Sequence, residues 1–178
     1  DVAVSAAGFN TWHGAVQLGG TKGRAGYFGS ATTMRTDRFL DQVSFDNLHN
    51  AGAFGRGFGR LDLQVTDGET VRVHGMGGRS RFQVANLRSQ EAAGQDQQQM
   101  LADRAVWASY LRTVGVSSTL EAIWGHRAAD ARLRPSLGDT PVTASQVRRL
   151  STMTLSVRYS TERRAASVDR IPVRVRPE

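Results

Sequence analysis

The 178-residue chain has no cysteine, a single lysine (Lys22), four prolines and four histidines, and no apolar run longer than a few residues. The missing cysteines exclude a disulfide scaffold, thiolate zinc sites, iron–sulfur ligation and a cysteine nucleophile. They do not fix the compartment, because a chain with a large enough core dispenses with disulfides anywhere. A membrane-spanning helix needs about 20 apolar residues, so no transmembrane helix is expected. The chain opens at Asp1 without Met and without a basic segment leading into an apolar one, as expected if a targeting segment has been removed or if the sequence is a trimmed piece of a longer one. None of His13, His49, His74 and His126 lies within four residues of another, so the compact ligand pairs of zinc motifs are missing. No metal and no cofactor are expected.

What is present is arginine. The formal net charge of +7 rests on 22 Arg and the one Lys against 16 acidic residues. Residues 1–90 hold 10 basic and 7 acidic side chains, 91–135 hold 5 of each, and 136–178 hold 8 and 4. No run of five basic residues occurs, so the excess lacks the clustering of a dedicated nucleic-acid surface. Arg-for-Lys usage of this kind also follows from coding bias alone.

Glycine divides the chain, with 15 of 19 at or before Gly78. The expectation is a soluble single-domain α+β protein over 1–178. It comprises a Gly-rich antiparallel β region (1–88), a helical region (89–150) with two consecutive helices at about 91–134, and a C-terminal strand pair (151–178) completing the sheet. A chain of this length can bury about two-thirds of its unfolded surface, so a core is expected. Val2–Ala6, Phe9–Leu18, Ala25–Thr33 and Arg79–Leu87 read as strands, and Asp46–Gly59 as a loop anchored by Phe54 and Phe58. The hairpin Arg60–Gly75 is the strongest local signal. A three-residue loop Thr66-Asp67-Gly68, with positive φ at Gly68, sets Leu63 opposite Val71, Leu61 opposite Val73 and Asp62 opposite Arg72.

Leu101, Ala105, Ala108 and Leu111 recur at helical spacing, predicting a helix over about 91–114 that ends at Gly115. Ser118 and Glu121 form a capping box for a second helix to about Arg134, before Pro135, with Leu120, Ile123 and Trp124 buried. Thr143 caps a short helix through Leu150. Met153–Tyr159 and Ile171–Val175 alternate as strands, the second an edge because Pro172 cannot donate to a ladder.

Motifs that carry chemistry are weak. His13, between Trp12 and Gly14, reads as a solvent-facing strand residue beside a buried Trp12, though a histidine there could serve as acid or base. His49 lies near Ser44 and Asp46, which supplies triad residue types without triad geometry. The glycines of 52–59 and 18–23 lack the strand and helix that a phosphate-binding loop needs on either side. Basic residues next to aromatics give a candidate binding set: Arg56 and Arg60 between Phe54 and Phe58, then Arg158, Arg163 and Arg164 around Tyr159, and Arg174 and Arg176 on the edge strand.

The leading expectation is a non-enzymatic structural or interaction domain, extracytoplasmic or part of a larger assembly such as a bacterial surface or secretion machine or a virion. Protein partners or self-association would follow. The alternatives are an Arg-rich nucleic-acid or polyanion-binding domain, and a small hydrolase or toxin-like nuclease using His13 or His49.

Overall fold

The computed structural model describes residues 1–40, 49–139 and 142–161. Within them the chain runs back and forth as eight strands: β1 (Val2–Ala7), β2 (Thr11–Lys22), β3 (Ala25–Thr36), β4 (Gly52–Thr66), β5 (Glu69–Gln83), β6 (Gln98–Val114), β7 (Ser118–Arg134) and β8 (Gln146–Thr161). One helical turn, α1 (Arg88–Ala92), interrupts them. All eight form one antiparallel sheet in sequence order, β1 to β8.

The expected α+β architecture is overturned. Both long helices are strands, β6 and β7, and the short helix at 143–150 is the start of β8. Ser118, expected as an N-cap, lies opposite Val114 and Thr161, and Glu121 lies between Leu111 and Arg158. Asp46–Gly59 is not a loop throughout, because Gly52–Thr66 is β4. In the run from Phe54 to Arg60 the even positions carry Phe or Arg and the odd ones glycine, a period of two that leaves one strand face bare. The C-terminal strand expected at 171–175, with Arg174 and Arg176, lies outside the described residues.

The Arg60–Gly75 hairpin has the expected register, with Leu63 opposite Val71, Leu61 opposite Val73 and Asp62 opposite Arg72. Its loop differs. Thr66 pairs with Glu69 around a two-residue turn, and a bulge between Gln64 and Thr66 restores the register. Positive φ is not at Gly68 but at Gly23 and Gly115, in the turns after β2 and β6. The first turn places Phe9 and Asn10 in the left-handed region, at φ 60° and 51°. Arg38 sits 4.8 Å over the Phe9 ring and Asn10 donates to Asp37 at 2.6 Å, holding that unusual pair.

After the first short turn, 8–10, the connections alternate in length. At one end of the sheet the turns are 23–24, 67–68 and 115–117; at the other they are 8–10, 37–51, 84–97 and 135–145. The expected core is missing. Each strand touches only the strands beside it, with no second layer packed on either face among the described residues. Ala105 is the one buried apolar side chain there. An antiparallel sheet in water normally hides one face. This one leaves both open.

Candidate functional site

The register sorts the side chains of the sheet onto two faces of different chemistry. On the first, cross-strand rows are apolar. Tyr27, Leu61, Val73, Ala108, Trp124 and Leu155 form one row, and Ala25, Leu63, Val71, Tyr110, Ala122 and Val157 form the next toward the short turns, with Lys22 at its β2 end. A third row, on the other side of the first, holds Leu18, Val106 and Met153 beside glycines 29, 59 and 75 and His126. These side chains are exposed: Leu61 by 50%, Trp124 by 40% and Leu155 by 75%. A contiguous apolar surface of this kind marks an interaction site, with a protein, a ligand or a membrane.

Charge brackets the band. Toward the short turns Arg112 pairs with Glu69 at 3.4 Å, and Tyr110 donates to the same carboxylate at 3.0 Å. Toward the long connections the first charge on β6 is Arg104. Arg104 and Arg112 are eight residues apart, or about 26 Å along a strand. Beyond Arg104 the same face carries Arg35, Arg79, Arg81, Arg132 and Arg149 with one acid, Asp130. A cleft of about 560 Å³ opens there, lined by Arg79, Arg81, Arg132 and Asp130 over Ala53, Met100 and Ala102. Asp130 meets Arg149 at 3.3 Å, and Arg81 donates to Gln98. Arg79, Arg104 and Arg132 have no carboxylate within ion-pair distance among the described residues.

The second face carries the polar groups, together with Leu101, Leu111, Ile123 and Leu150, and its acids Asp62 and Asp103 are paired with arginines. Asp62 accepts from Arg60 at 2.6 and 3.0 Å and from Arg72 on the facing strand. The Arg60 hydrogen bond holds the Asp62 carboxyl below the usual carboxylate range, against a smaller opposing effect of burial. Asp103 accepts two hydrogen bonds from Arg127, at 3.1 and 2.8 Å, which likewise lowers its titration. A file of rings crosses this face: Phe28, Phe58, His74 and Trp107, with centroids 6.0, 6.4 and 5.2 Å apart in turn. On β8 the face is Arg148, Leu150, Thr152, Thr154, Ser156, Arg158 and Ser160.

The residues singled out from sequence scatter over this arrangement. Arg56, Arg60 and Arg158 share the polar face, but Arg60 is neutralised by Asp62 and Arg158 stands four strands away opposite Glu121. Arg163, Arg164, Arg174 and Arg176 lie outside the described residues, as do Ser44 and Asp46. His13 sits on β2 between Ser5 and Met34, and Trp12 beside it is 61% exposed, not buried.

His49 is buried beneath the long connections. Nδ1 meets the Val84 carbonyl at 3.0 Å and Nε2 meets Asp96 Oδ1 at 2.6 Å, so both ring nitrogens are engaged. Burial raises the Asp96 carboxyl, but hydrogen bonds from His49 and Gln98 outweigh it and leave the group lowered. Asp96 N–H donates to Ser136 Oγ, which donates to Asp139. The network ties three long connections together. Among the described residues no three His, Cys, Asp or Glu side chains gather as a metal site would require.

The sequence reading missed the arginines beside the band. Arg79, Arg104 and Arg132 are far apart in the chain, and the signal that finds them is strand parity, which sets Arg104 on the same face as Val106 and Ala108. No protein-family model, curated protein or solved structure matches the chain. No helix among the described residues is long and apolar enough to cross a membrane.

Proposed function

We propose that this sheet forms part of the wall of a transmembrane β-barrel of the outer-membrane type, a non-enzymatic structural component of a bacterial surface. The apolar band faces lipid and the polar face lines the interior. One observation carries the reading: a bracketed apolar band on a single face of a nearest-neighbour antiparallel meander whose connections alternate short and long. Barrels of this type pair short periplasmic turns with long extracellular loops and alternate apolar-out with polar-in along each strand. The bracketed height of about 26 Å becomes about 20 Å at a strand tilt near 40°, somewhat short of the ~25 Å apolar belt such walls present. Tyr27, Tyr110 and Tyr159 near the short turns suit the interface, where aromatic side chains concentrate. Strands of up to 17 residues exceed the ~10 needed to cross, and their surplus lies toward the long connections.

Lipid tolerates no open sheet edge. Among the described residues β1 and β8 each have a single hydrogen-bonded neighbour. In a membrane those edges would pair with further strands, from the same chain or from other copies of it.

The chain has no cysteine, so single cysteines report cleanly on each face. Val73→Cys and Leu155→Cys should resist a water-soluble maleimide in intact membranes or vesicles, whereas Ser109→Cys and Thr154→Cys should react. Equal labelling of neighbours 154 and 155 would remove the membrane reading.

A further inference from the structure

We propose that the arginines immediately beyond the apolar band bind the phosphate groups of lipids in the outer leaflet. This rests on the barrel reading and adds a ligand and a site to it. Arg104 stands two residues from Val106, the last apolar side chain of the band on β6, and its row is followed by those of Arg79 and Arg132. From Arg104 to the row of Arg132 is four residues, or about 13 Å along a strand. With tilt that is about 10 Å, against about 5–8 Å for the headgroup layer on each side of a bilayer's hydrocarbon, which sets the rows of Arg104 and Arg79 within that layer and the row of Arg132 at its outer rim.

Both faces hold ion pairs, Arg112–Glu69 and Arg149–Asp130 on the band face among them, but the arginines just beyond the band are left over. On the polar face Asp62 and Asp103 neutralise their arginines. On the band face Asp130 is taken up by Arg149; Arg79, Arg104 and Arg132 have no carboxylate within ion-pair distance among the described residues, and Arg79 and Arg132 line the 560 Å³ cleft with Arg81 and Asp130. Unpaired guanidinium groups on a wall seek an anion from outside it, and their planar donor fork matches phosphate oxygens two at a time. A lipid satisfies both halves of the surface in one molecule: its phosphate lies at the height of the arginines while its chains cover the band. A soluble polyanion would leave Trp124 and Leu155 bare, which is why the lipid is the ligand the geometry favours.

The test uses the full-length protein inserted in phosphocholine vesicles, with or without a minor fraction of phosphatidic acid, and native mass spectrometry to count retained lipids. Wild type should retain phosphatidic acid over phosphocholine. The triple variant Arg79→Gln, Arg104→Gln, Arg132→Gln should lose that preference about tenfold or more, given the attraction each basic residue adds near an anionic surface. Arg158→Gln on the polar face should keep it. If the triple variant does not insert, Arg79→Gln and Arg132→Gln singly carry the test, each with a smaller loss. Equal retention of both lipids by inserted wild type, or unchanged preference in the inserted variants, would overturn the lipid site and leave the barrel intact. Displacement of bound phosphatidic acid by millimolar inorganic phosphate or single-stranded DNA would overturn it in favour of a soluble anion. Failure of wild type to form strands in any vesicle would overturn the barrel reading, and the lipid site with it.

Discussion

Trp107 lies across Gly125, its direct partner on the facing strand: a Cβ built on Gly125 would stand 2.5 Å from Trp107 Cδ1 and 2.9 Å from Nε1. Glycine in a strand is weak by itself, but an aromatic ring laid over it recovers the missing packing. The ring also continues the file of Phe28, Phe58 and His74 across the polar face. Gly125→Val should therefore expel the indole and destabilise the sheet by about 1–3 kcal/mol, the usual cost of overpacking. Urea unfolding in detergent or vesicles measures it. A stability equal to wild type would show that the ring is free to move aside at no cost.

The membrane reading makes adjacent residues respond oppositely. Ala108 faces the centre of the band, and Ser109 faces the polar interior beside Arg72. Ala108→Arg should cost about 2–4 kcal/mol in a lipid-inserted barrel, whereas Ser109→Arg should cost little. Equilibrium folding into vesicles distinguishes them. Similar penalties at both positions would mean that the faces do not see different phases.

The hairpin and the helices show where sequence was legible. Leu63 opposite Val71 followed from one local test, since turn composition and cross-strand charge matching pointed to one register, and the bulge changed only how it was reached. The region 98–134 misled because positions i and i+4 share a face in a strand as well as in a helix. Leu120 and Trp124 satisfy both periods, as do Leu101 and Ala105. What marks strands is that Tyr110, Ala108 and Val106 alternate with Leu111, Ser109 and Trp107, and apolar residues on both sides blur that alternation. The arginine cluster was illegible for a further reason: its members meet only through the pairing of β5, β6, β7 and β8.

Asp62 gives a pH dependence with a definite sign. Its folded-state titration is lowered, chiefly by the hydrogen bond from Arg60 and further by Arg72. A lowered carboxylate contributes stability above its unfolded value near 3.9 and loses it as pH falls through the folded value. Partial exposure of both arginines keeps the contribution small. Asp62→Asn should be less stable than wild type at pH 7, and the gap should close below about pH 4. A gap that persists undiminished at pH 3 would assign the loss to packing instead of charge.

The network under the long connections should be separable from the sheet. His49 joins Val84 to Asp96, Asp96 joins Ser136, and Ser136 joins Asp139, so segments from three connections depend on one imidazole. His49→Ala takes a buried imidazole from the Val84 carbonyl, whereas the Asp96 side chain, 59% exposed, can turn to water and Gln98, so the loss should be about 1 kcal/mol. The cost should be local, because the strand ladders on either side do not pass through His49. Amide hydrogen exchange should speed up at Val84, whose N–H donates to Gln97, and at Asp96, whose N–H donates to Ser136. Amides in the middle of β5, β6 and β7 should keep their protection. His49→Gln, which can still reach one of the two acceptors, should fall between. Uniform loss of protection across the strands would show that the connections and the sheet unfold together, and no change at residues 84 and 96 would show that His49 braces nothing.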